Sequence, residues 1–134
     1  MYNLSRSLIF SALLWVISGL SLGTAVASEE CMHAAGWLYE GDIKVQFEDI
    51  NYETGIEECE KALVSNPNDL NVKRALARAF HKGERFSEAF QLYNELRKGG
   101  DPLATNNLGV MYHNGEGVEV DLVRSFELFS LSAE

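Results

Sequence analysis

Three histidines are the residues in this chain whose chemistry first suggests a metal or catalytic site: His33, His81 and His113. Two histidines that bind one metal from a single helix stand three or four residues apart, and no pair here has that spacing. Spacing also identifies no Ser-His-Asp set and no pair of catalytic carboxylates, because most of the 20 acidic residues are expected on solvated surfaces. We therefore predict no metal, no cofactor and no enzymatic activity.

The Gly115-Glu116-Gly117 segment is a second candidate for ligand binding. A phosphate loop would continue with Lys and Ser or Thr, and a calcium loop would place acids at alternate positions before a glycine. Neither pattern is present. We predict a turn in which the glycines adopt positive φ and Asp121 caps the helix that follows.

The first 27 residues have the pattern of a signal peptide. Arg6 is their only charge, an apolar run extends from Leu8 to Leu22, and Ala25-Val26-Ala27 forms a small-x-small cleavage site. An uncleaved anchor is the alternative, but the run is about 15 residues and a bilayer requires roughly 20. The prediction is a periplasmic or secreted protein that has no membrane segment after cleavage.

Export would place Cys31 and Cys59, the only cysteines, in a compartment where a disulfide persists. Closing a loop of about 29 residues would contribute roughly 3–4 kcal/mol in the chain-entropy model. The alternatives are two unpaired buried thiols, or a reactive Cys31 with His33 nearby. We predict the disulfide.

The charge distribution limits the kinds of partner that this protein can bind. A net charge of −9 over 134 residues and a pI near 4.8 argue against nucleic acid and against anionic membranes as partners. Within the chain, residues 28–70 carry a formal charge of −9, residues 71–98 carry +4, and residues 99–134 carry −5. A basic segment therefore lies between two acidic ones.

Apolar periodicity predicts a series of amphipathic helices. The segment 43–52 is ambiguous between a loop and a continued helix. The predicted helices are Cys31–Tyr39, Tyr52–Val64, Leu70–His81, Phe86–Arg97, and two more within residues 103–134 that are separated by the Gly115–Gly117 turn.

These helices repeat along the chain. Leu76, Ala77 and Phe80 match Leu108, Gly109 and Tyr112 at an offset of 32, whereas later positions match at 36, so the four-residue difference falls in a turn. At these residues, 71–102 resemble a tetratricopeptide repeat. Residues 103–134 are similar to a Sel-like repeat, whose pattern Leu-Gly-x-x-Tyr-x-x-Gly-x-Gly-Val-x-x-Asp runs from Leu108 to Asp121. Gly55, Ser125 and Ser132 depart from these patterns, which usually have Ala there.

The resemblance implies an all-α fold for residues 28–134, a right-handed solenoid of helical hairpins. It would contain a degenerate repeat at about 31–67, a tetratricopeptide-like repeat at 70–102 and a Sel-like repeat at 103–134. In such repeats the first helix of each hairpin lines a concave groove that binds peptides. The residues that this implies for partner binding are Asn71, Arg74, Arg78, His81, Lys82, Asn106 and His113.

We accordingly expect a non-enzymatic scaffold that binds a protein or peptide through an acidic side chain or a terminal carboxylate. The alternative for the bases is that they neutralise neighbouring acidic helices within the chain. A different class of function is an enzyme, since some cysteine-rich exported Sel-like proteins are associated with penicillin binding or hydrolysis. Those proteins carry a cysteine pair in each repeat, whereas this chain has one pair in total.

The last helix presents Val123, Phe126, Phe129 and Leu131 without a polar helix after it. Solenoids normally cover their last apolar face. We expect either continuation as a longer array or a contact with another copy or a partner through this helix.

Overall fold

The computed structural model of this chain describes residues 26–36, 47 and 50–134. Over these residues the chain is helical and has no strand, which confirms the all-α prediction there. No helix in this part of the chain is both long enough and apolar enough to cross a membrane. The helices are α1 (26–34), α2 (Tyr52–Ser65), α3 (Leu70–Lys82), α4 (Phe86–Lys98), α5 (Pro102–Asn114) and α6 (Leu122–Ser132).

The helices α2, α3 and α4 begin where the sequence predicts and each continues one residue past the predicted end. The prediction for α1 was wrong at both ends, because the chain is already helical at residue 26, before Cys31, and the helix stops at residue 34 instead of Tyr39. Gly36 adopts a φ of 68°, a left-handed conformation that ends helices. The predicted signal sequence up to residue 25 and most of the ambiguous segment, residues 43–46 and 48–49, lie outside the described residues.

Aspartates begin three of the helices. Asp69 Oδ1 accepts hydrogen bonds from the backbone N–H groups of Asn71 and Val72 at 3.0 and 3.1 Å, and Asp121 Oδ1 accepts one from Arg124 at 2.9 Å. Asp101 caps α5, in which Pro102 occupies the first turn and thus begins the helix one residue before the predicted repeat. Such caps satisfy N–H groups that have no partner within the helix. The predicted cap at Asp121 is confirmed.

Each helix from α2 to α6 packs most extensively on its neighbours in the sequence. Small residues allow the close approaches. A Cβ atom on Gly55 of α2 would lie 3.3 Å from Ala79 Cβ of α3, and one on Gly109 of α5 would lie 2.7 Å from the Phe129 ring of α6. Ser125 Oγ of α6 donates a hydrogen bond to the Gly109 carbonyl oxygen at 2.8 Å. The departures from alanine at Gly55 and Ser125 are therefore compatible with tight helix contacts.

The first hairpin, α3–α4, turns in residues 83–85, whereas the second, α5–α6, turns in residues 115–121. The second turn is therefore four residues longer than the first, as the two repeat offsets predict. Gly115 and Gly117 have φ values of 76° and 71°, so the prediction that they supply positive-φ turns is confirmed.

The core runs through the middle of this helical series and includes the disulfide. Cys31 of α1 and Cys59 of α2 lie at disulfide distance, as predicted, and both are fully buried. The bond ties α1 to α2. Tyr93, Leu108 and Met111 are among the largest fully buried side chains, so the core continues from α4 into α5.

Candidate binding site

Five of the seven residues predicted to bind a partner lie on α3, and they fall into two groups along it. Asn71 and Arg74, in its first half, contact each other: Arg74 Nη1 donates to Asn71 Oδ1 at 2.6 Å. Arg74 Nε also donates to the carboxylate of Asp101, which is buried between α4 and α5. Lys73 forms an ion pair with Glu95 of α4. In this half of α3 the bases thus neutralise acids of neighbouring elements.

Three of the seven predicted residues, Arg78, His81 and Asn106, meet around one cavity of about 350 Å³. It lies where α3, α4 and α5 come together. The other described residues that line it are Phe47, Tyr93, Leu103, Asn107 and Val110. The cavity therefore combines a guanidinium, an imidazole and two amides with apolar and aromatic walls.

Arg78 is only partly accessible. Its Nη1 atom donates a hydrogen bond to the Gly36 carbonyl oxygen at 2.9 Å, which connects α3 with the turn after α1. Burial lowers the pKa of Arg78 from the ordinary guanidinium value, because removal of water disfavours the charged form. Guanidinium groups stay charged in proteins even so. The cavity consequently contains a positive charge that is poorly screened by water.

Tyr93 of α4 lines the same cavity and is only 2% exposed. Its hydroxyl group is buried and has no hydrogen-bond partner among the described residues. Burial raises the pKa of Tyr93 above the ordinary value; Arg78 opposes this shift and Glu116 adds to it. A buried hydroxyl without a partner is costly and rare in folded proteins. Tyr93 was not among the residues predicted to bind, because its position in the apolar stripe indicated only a core role.

His81 closes one side of the cavity and is 9% exposed. Its Nε2 atom lies 2.7 Å from Glu116 Oε2 in the α5–α6 turn. The imidazole ring also makes edge-on contacts with Phe47, Phe86 and Tyr93 at centroid distances of 5.5 to 6.0 Å. We predicted no role for Glu116 beyond the turn. Its contact with His81 spans 35 residues, and no local pattern indicates it.

Lys82 and His113 do not line the cavity. The Lys82 ammonium lies 5.3 Å from the centroid of the Phe47 ring, which is a cation–π contact. His113 is exposed in the last turn of α5. The repeat resemblance implied one groove that Lys82 and His113 share with Arg78 and His81, but the cavity extends toward α4 and α5 instead.

A second, larger cavity of about 470 Å³ lies between α1 and α2. Carboxylates dominate its polar lining, and no group of three or more acidic, His or Cys side chains among the described residues is arranged to hold a metal ion. The described residues that line it are Val26, Glu29, Glu30, His33, Ala34, Thr54 and Glu58. None of these described residues supplies a buried hydroxyl or a guanidinium, in contrast to the first cavity.

No protein-family model matches the chain, and neither a search of curated proteins nor a search of solved structures finds a match to it.

Proposed function

We propose that this protein is a non-enzymatic interaction module that binds an acidic side chain or a terminal carboxylate of a protein or peptide partner in the cavity between α3, α4 and α5. The observation that carries the proposal is the buried Tyr93 hydroxyl, which has no partner among the described residues and stands beside the Arg78 guanidinium. A ligand oxygen that accepts from this hydroxyl would remove the cost of leaving it unpaired.

The chemistry of the lining favours a carboxylate. The Tyr93 hydroxyl and the amide groups of Asn106 and Asn107 are hydrogen-bond donors, and Arg78 supplies positive charge. Hydrogen bonds to an ionised acceptor are about twice as strong as those between neutral groups. Leu103 and Val110 would contact the carbon atoms next to the carboxylate. The site thus fits a carboxylate that carries an apolar group.

The test uses two pools of short labelled peptides that have the same random sequences, one with free carboxyl termini and one with amidated termini. We expect retention of the free-carboxylate pool on the immobilised protein. Tyr93→Phe should weaken that binding about tenfold or more, because a hydrogen bond to a charged group contributes roughly 1.5–3 kcal/mol. In the absence of peptide the same variant should be at least as stable as the parent.

Tyr52→Phe is the matched control, because the Tyr52 side chain is exposed and lies outside the lining of the cavity. Unchanged binding by Tyr93→Phe would contradict the proposal. Equal retention of the amidated and free pools would assign the cavity to an acidic side chain instead of a terminal carboxylate. Arg74→Gln tests whether the two halves of α3 have different roles. It should lower stability, because the Asp101 contact is lost, and it should leave peptide binding unchanged.

We also propose that the helical hairpins form a solenoid of tetratricopeptide-like and Sel-like repeats. Support comes from the sequential packing of α2 to α6 and from the two turns, which differ by the four residues that the repeat offsets require. An experimental structure in which α3–α4 superposes on α5–α6 would support the repeat assignment. A large difference in crossing angle between the hairpins would argue against it.

Export to the periplasm or another secretory compartment is likewise a proposal. The Cys31–Cys59 pair supports it, since disulfides persist mainly in oxidising compartments. Expression of the full chain followed by mass measurement should give a product that begins at Ser28. Recovery of the intact chain from the cytoplasm with reduced cysteines would contradict the proposal.

A further inference from the structure

His81 is the residue through which the charge of the cavity between α3, α4 and α5 can depend on pH. Histidine is the side chain that ordinarily changes charge between about pH 5 and 8. The Arg78 guanidinium stays charged in that range, and the Tyr93 hydroxyl stays neutral because burial raises its pKa. The other described residues of the lining are apolar side chains and the amides of Asn106 and Asn107.

The contact with Glu116 determines where His81 takes up a proton. Glu116 Oε1 accepts a hydrogen bond from the Asn114 side-chain amide at 3.1 Å, and Glu116 Oε2 lies 2.7 Å from Nε2 of His81. Because a carboxylate accepts hydrogen bonds, neutral His81 carries its hydrogen on Nε2 and the additional proton binds at Nδ1. The resulting imidazolium ion keeps the hydrogen bond to Glu116 and gains an ion pair with it.

The charged and titratable groups that face His81 among the described residues come from its own helix, from α4 and from the α5–α6 turn. They are Arg78, Lys82, Tyr93 and Glu116. The two bases oppose a further positive charge on His81, whereas Glu116 favours it. Glu116 is the group in direct contact with the imidazole ring, so protonation of His81 has a paired acid beside it.

The charge of Glu116 reaches the place where a ligand carboxylate would bind. Burial raises the pKa of the Tyr93 hydroxyl, and the charges of Arg78 and Glu116 shift it in opposite directions. A carboxylate that accepts a hydrogen bond from this hydroxyl would therefore be attracted by Arg78 and repelled by Glu116. His81 contacts both Glu116 and the Tyr93 ring, so a proton on His81 would offset the repulsion.

We propose that protonation of His81 regulates the affinity of this cavity for a carboxylate, so that the partner binds more tightly at about pH 5.5 than at about pH 7.5. This inference rests on the proposed function, because it concerns a carboxylate in the same cavity. Protonation makes the His81–Glu116 pair more positive by one charge, in surroundings that water screens poorly. By linkage, binding of the carboxylate in turn favours the protonated form of His81.

The experiment uses two pools of labelled, N-acetylated peptides that contain no histidine and a single carboxyl group each. In one pool this group is a free C-terminus, and in the other it is a glutamate side chain in a peptide with an amidated C-terminus. Both kinds of carboxyl group are ionised above about pH 5.5, so the charge of the ligand stays constant. Fluorescence anisotropy measures binding to the disulfide-bonded protein. We expect the pool that binds to do so about tenfold more tightly at about pH 5.5 than at about pH 7.5.

His81→Gln is the deciding variant, because a glutamine amide can donate a hydrogen bond to Glu116 but takes up no proton in this range. It should bind like the parent at about pH 7.5 and lose the gain at about pH 5.5. His113→Gln is the matched control, since His113 is exposed and does not line the cavity, and it should keep the gain. Circular dichroism establishes that both variants stay folded at both pH values.

Nuclear magnetic resonance of the imidazole groups tests the linkage without a substitution. Saturation with the peptide pool should move the midpoint of the His81 titration to a proton concentration about tenfold lower, the same factor as the gain in affinity. His33 and His113 do not line the cavity, so their midpoints should stay where they are.

Absence of binding by both pools at every pH would overturn the proposed function and this inference with it. Binding of equal affinity at both pH values, or a gain that His81→Gln retains, would overturn the inference about His81 and leave the proposed function standing. If His81→Gln does not fold, the resonance measurement decides, because a His81 midpoint that the peptide does not move would overturn the inference.

Discussion

The two hairpins of this protein use turns of different length, and the difference determines how the hairpins contact each other. The α3–α4 turn comprises residues 83–85 and reverses the chain with Glu84 at a φ of 58°. The α5–α6 turn comprises residues 115–121 and reaches back to the first hairpin. There Glu116 contacts His81, and Gly117 lies against Phe86. The hairpins are therefore joined through a turn as well as through packed helices.

The two histidines at matched positions show the consequence. His81 and His113 are 32 residues apart, each in the last turn of the first helix of its hairpin. His81 is buried because the long turn supplies Glu116 and the first hairpin supplies Phe86 and Tyr93 around it. His113 is exposed. The two histidines have comparable places on their helices, but the element that follows decides whether each one is buried.

The largest effect on stability should come from a methyl group at Gly117, where the long turn packs against the first hairpin. Gly117 has a positive φ, and a Cβ atom there would lie 2.8 Å from Phe86 Cβ. Gly117→Ala should lower the free energy of unfolding by about 3 kcal/mol through backbone strain and overpacking together. Gly100→Ala, at a φ of +83° with no atom within 4 Å, should cost about 1 kcal/mol. Equal losses in urea unfolding would show that the Phe86 contact contributes nothing.

A smaller effect should follow removal of the Glu116 carboxylate. Glu116→Ala leaves the buried His81 without its partner, so we expect a loss of about 2 kcal/mol in unfolding free energy. Glu119→Ala, an exposed position in the same turn, should change stability by less than about 0.5 kcal/mol. If both variants behave alike, the long turn does not stabilise the first hairpin through this contact.

The first hairpin has Ala77 at the position matched to Gly109 of the second hairpin. A substitution at Gly109 therefore tests whether the second hairpin is packed too tightly for alanine. Gly109→Ala should cost about 1 kcal/mol, since overpacking against Phe129 exceeds the gain in helix propensity. In a Phe129→Leu background the same substitution should become stabilising. Thermal unfolding of the four proteins in this cycle measures the change of sign, and additive effects would contradict the interpretation.

The smallest effect concerns the short turn. Glu84 occupies the left-handed region, which L residues other than Asn and Asp adopt at a cost. Glu84→Gly should therefore raise the free energy of unfolding by up to about 1 kcal/mol, offset in part by the greater freedom of glycine in the unfolded chain. Differential scanning calorimetry checks the sign. A decrease in melting temperature would indicate that the Glu84 side chain has a stabilising contact.

Much of the fold could be predicted because its signals are local. Asp69 and Asp121 immediately precede apolar helical stripes, Gly115 and Gly117 interrupt one, and only two cysteines are available to pair. The candidate site was predictable only in part. The repeat resemblance implied a binding role for Arg78, His81 and Asn106, which line the cavity, whereas Tyr93 was assigned to the core alone. Spacing identifies a face, but it does not reveal that a buried hydroxyl lacks a partner.

The contacts that distinguish the residues of α3 join distant parts of the chain. Arg74 meets Asp101 across 27 residues, His81 meets Glu116 across 35, and Arg78 meets Gly36 across 42. No periodicity within α3 separates Arg74 from Arg78. The positions of the neighbouring elements decide that Arg74 forms an internal ion pair and that Arg78 lines a cavity.

The sequence by itself determined, to within one residue, where α2, α3 and α4 begin and end, that Asp121 caps α6, and that the second turn is four residues longer than the first. These properties depend on residues a few positions apart. The tertiary structure decided which polar side chains are buried and which apolar ones remain exposed. Burial is set by elements far away in the chain, so Tyr93 became part of a cavity while Phe126, at the position matched to Phe90, was left facing solvent.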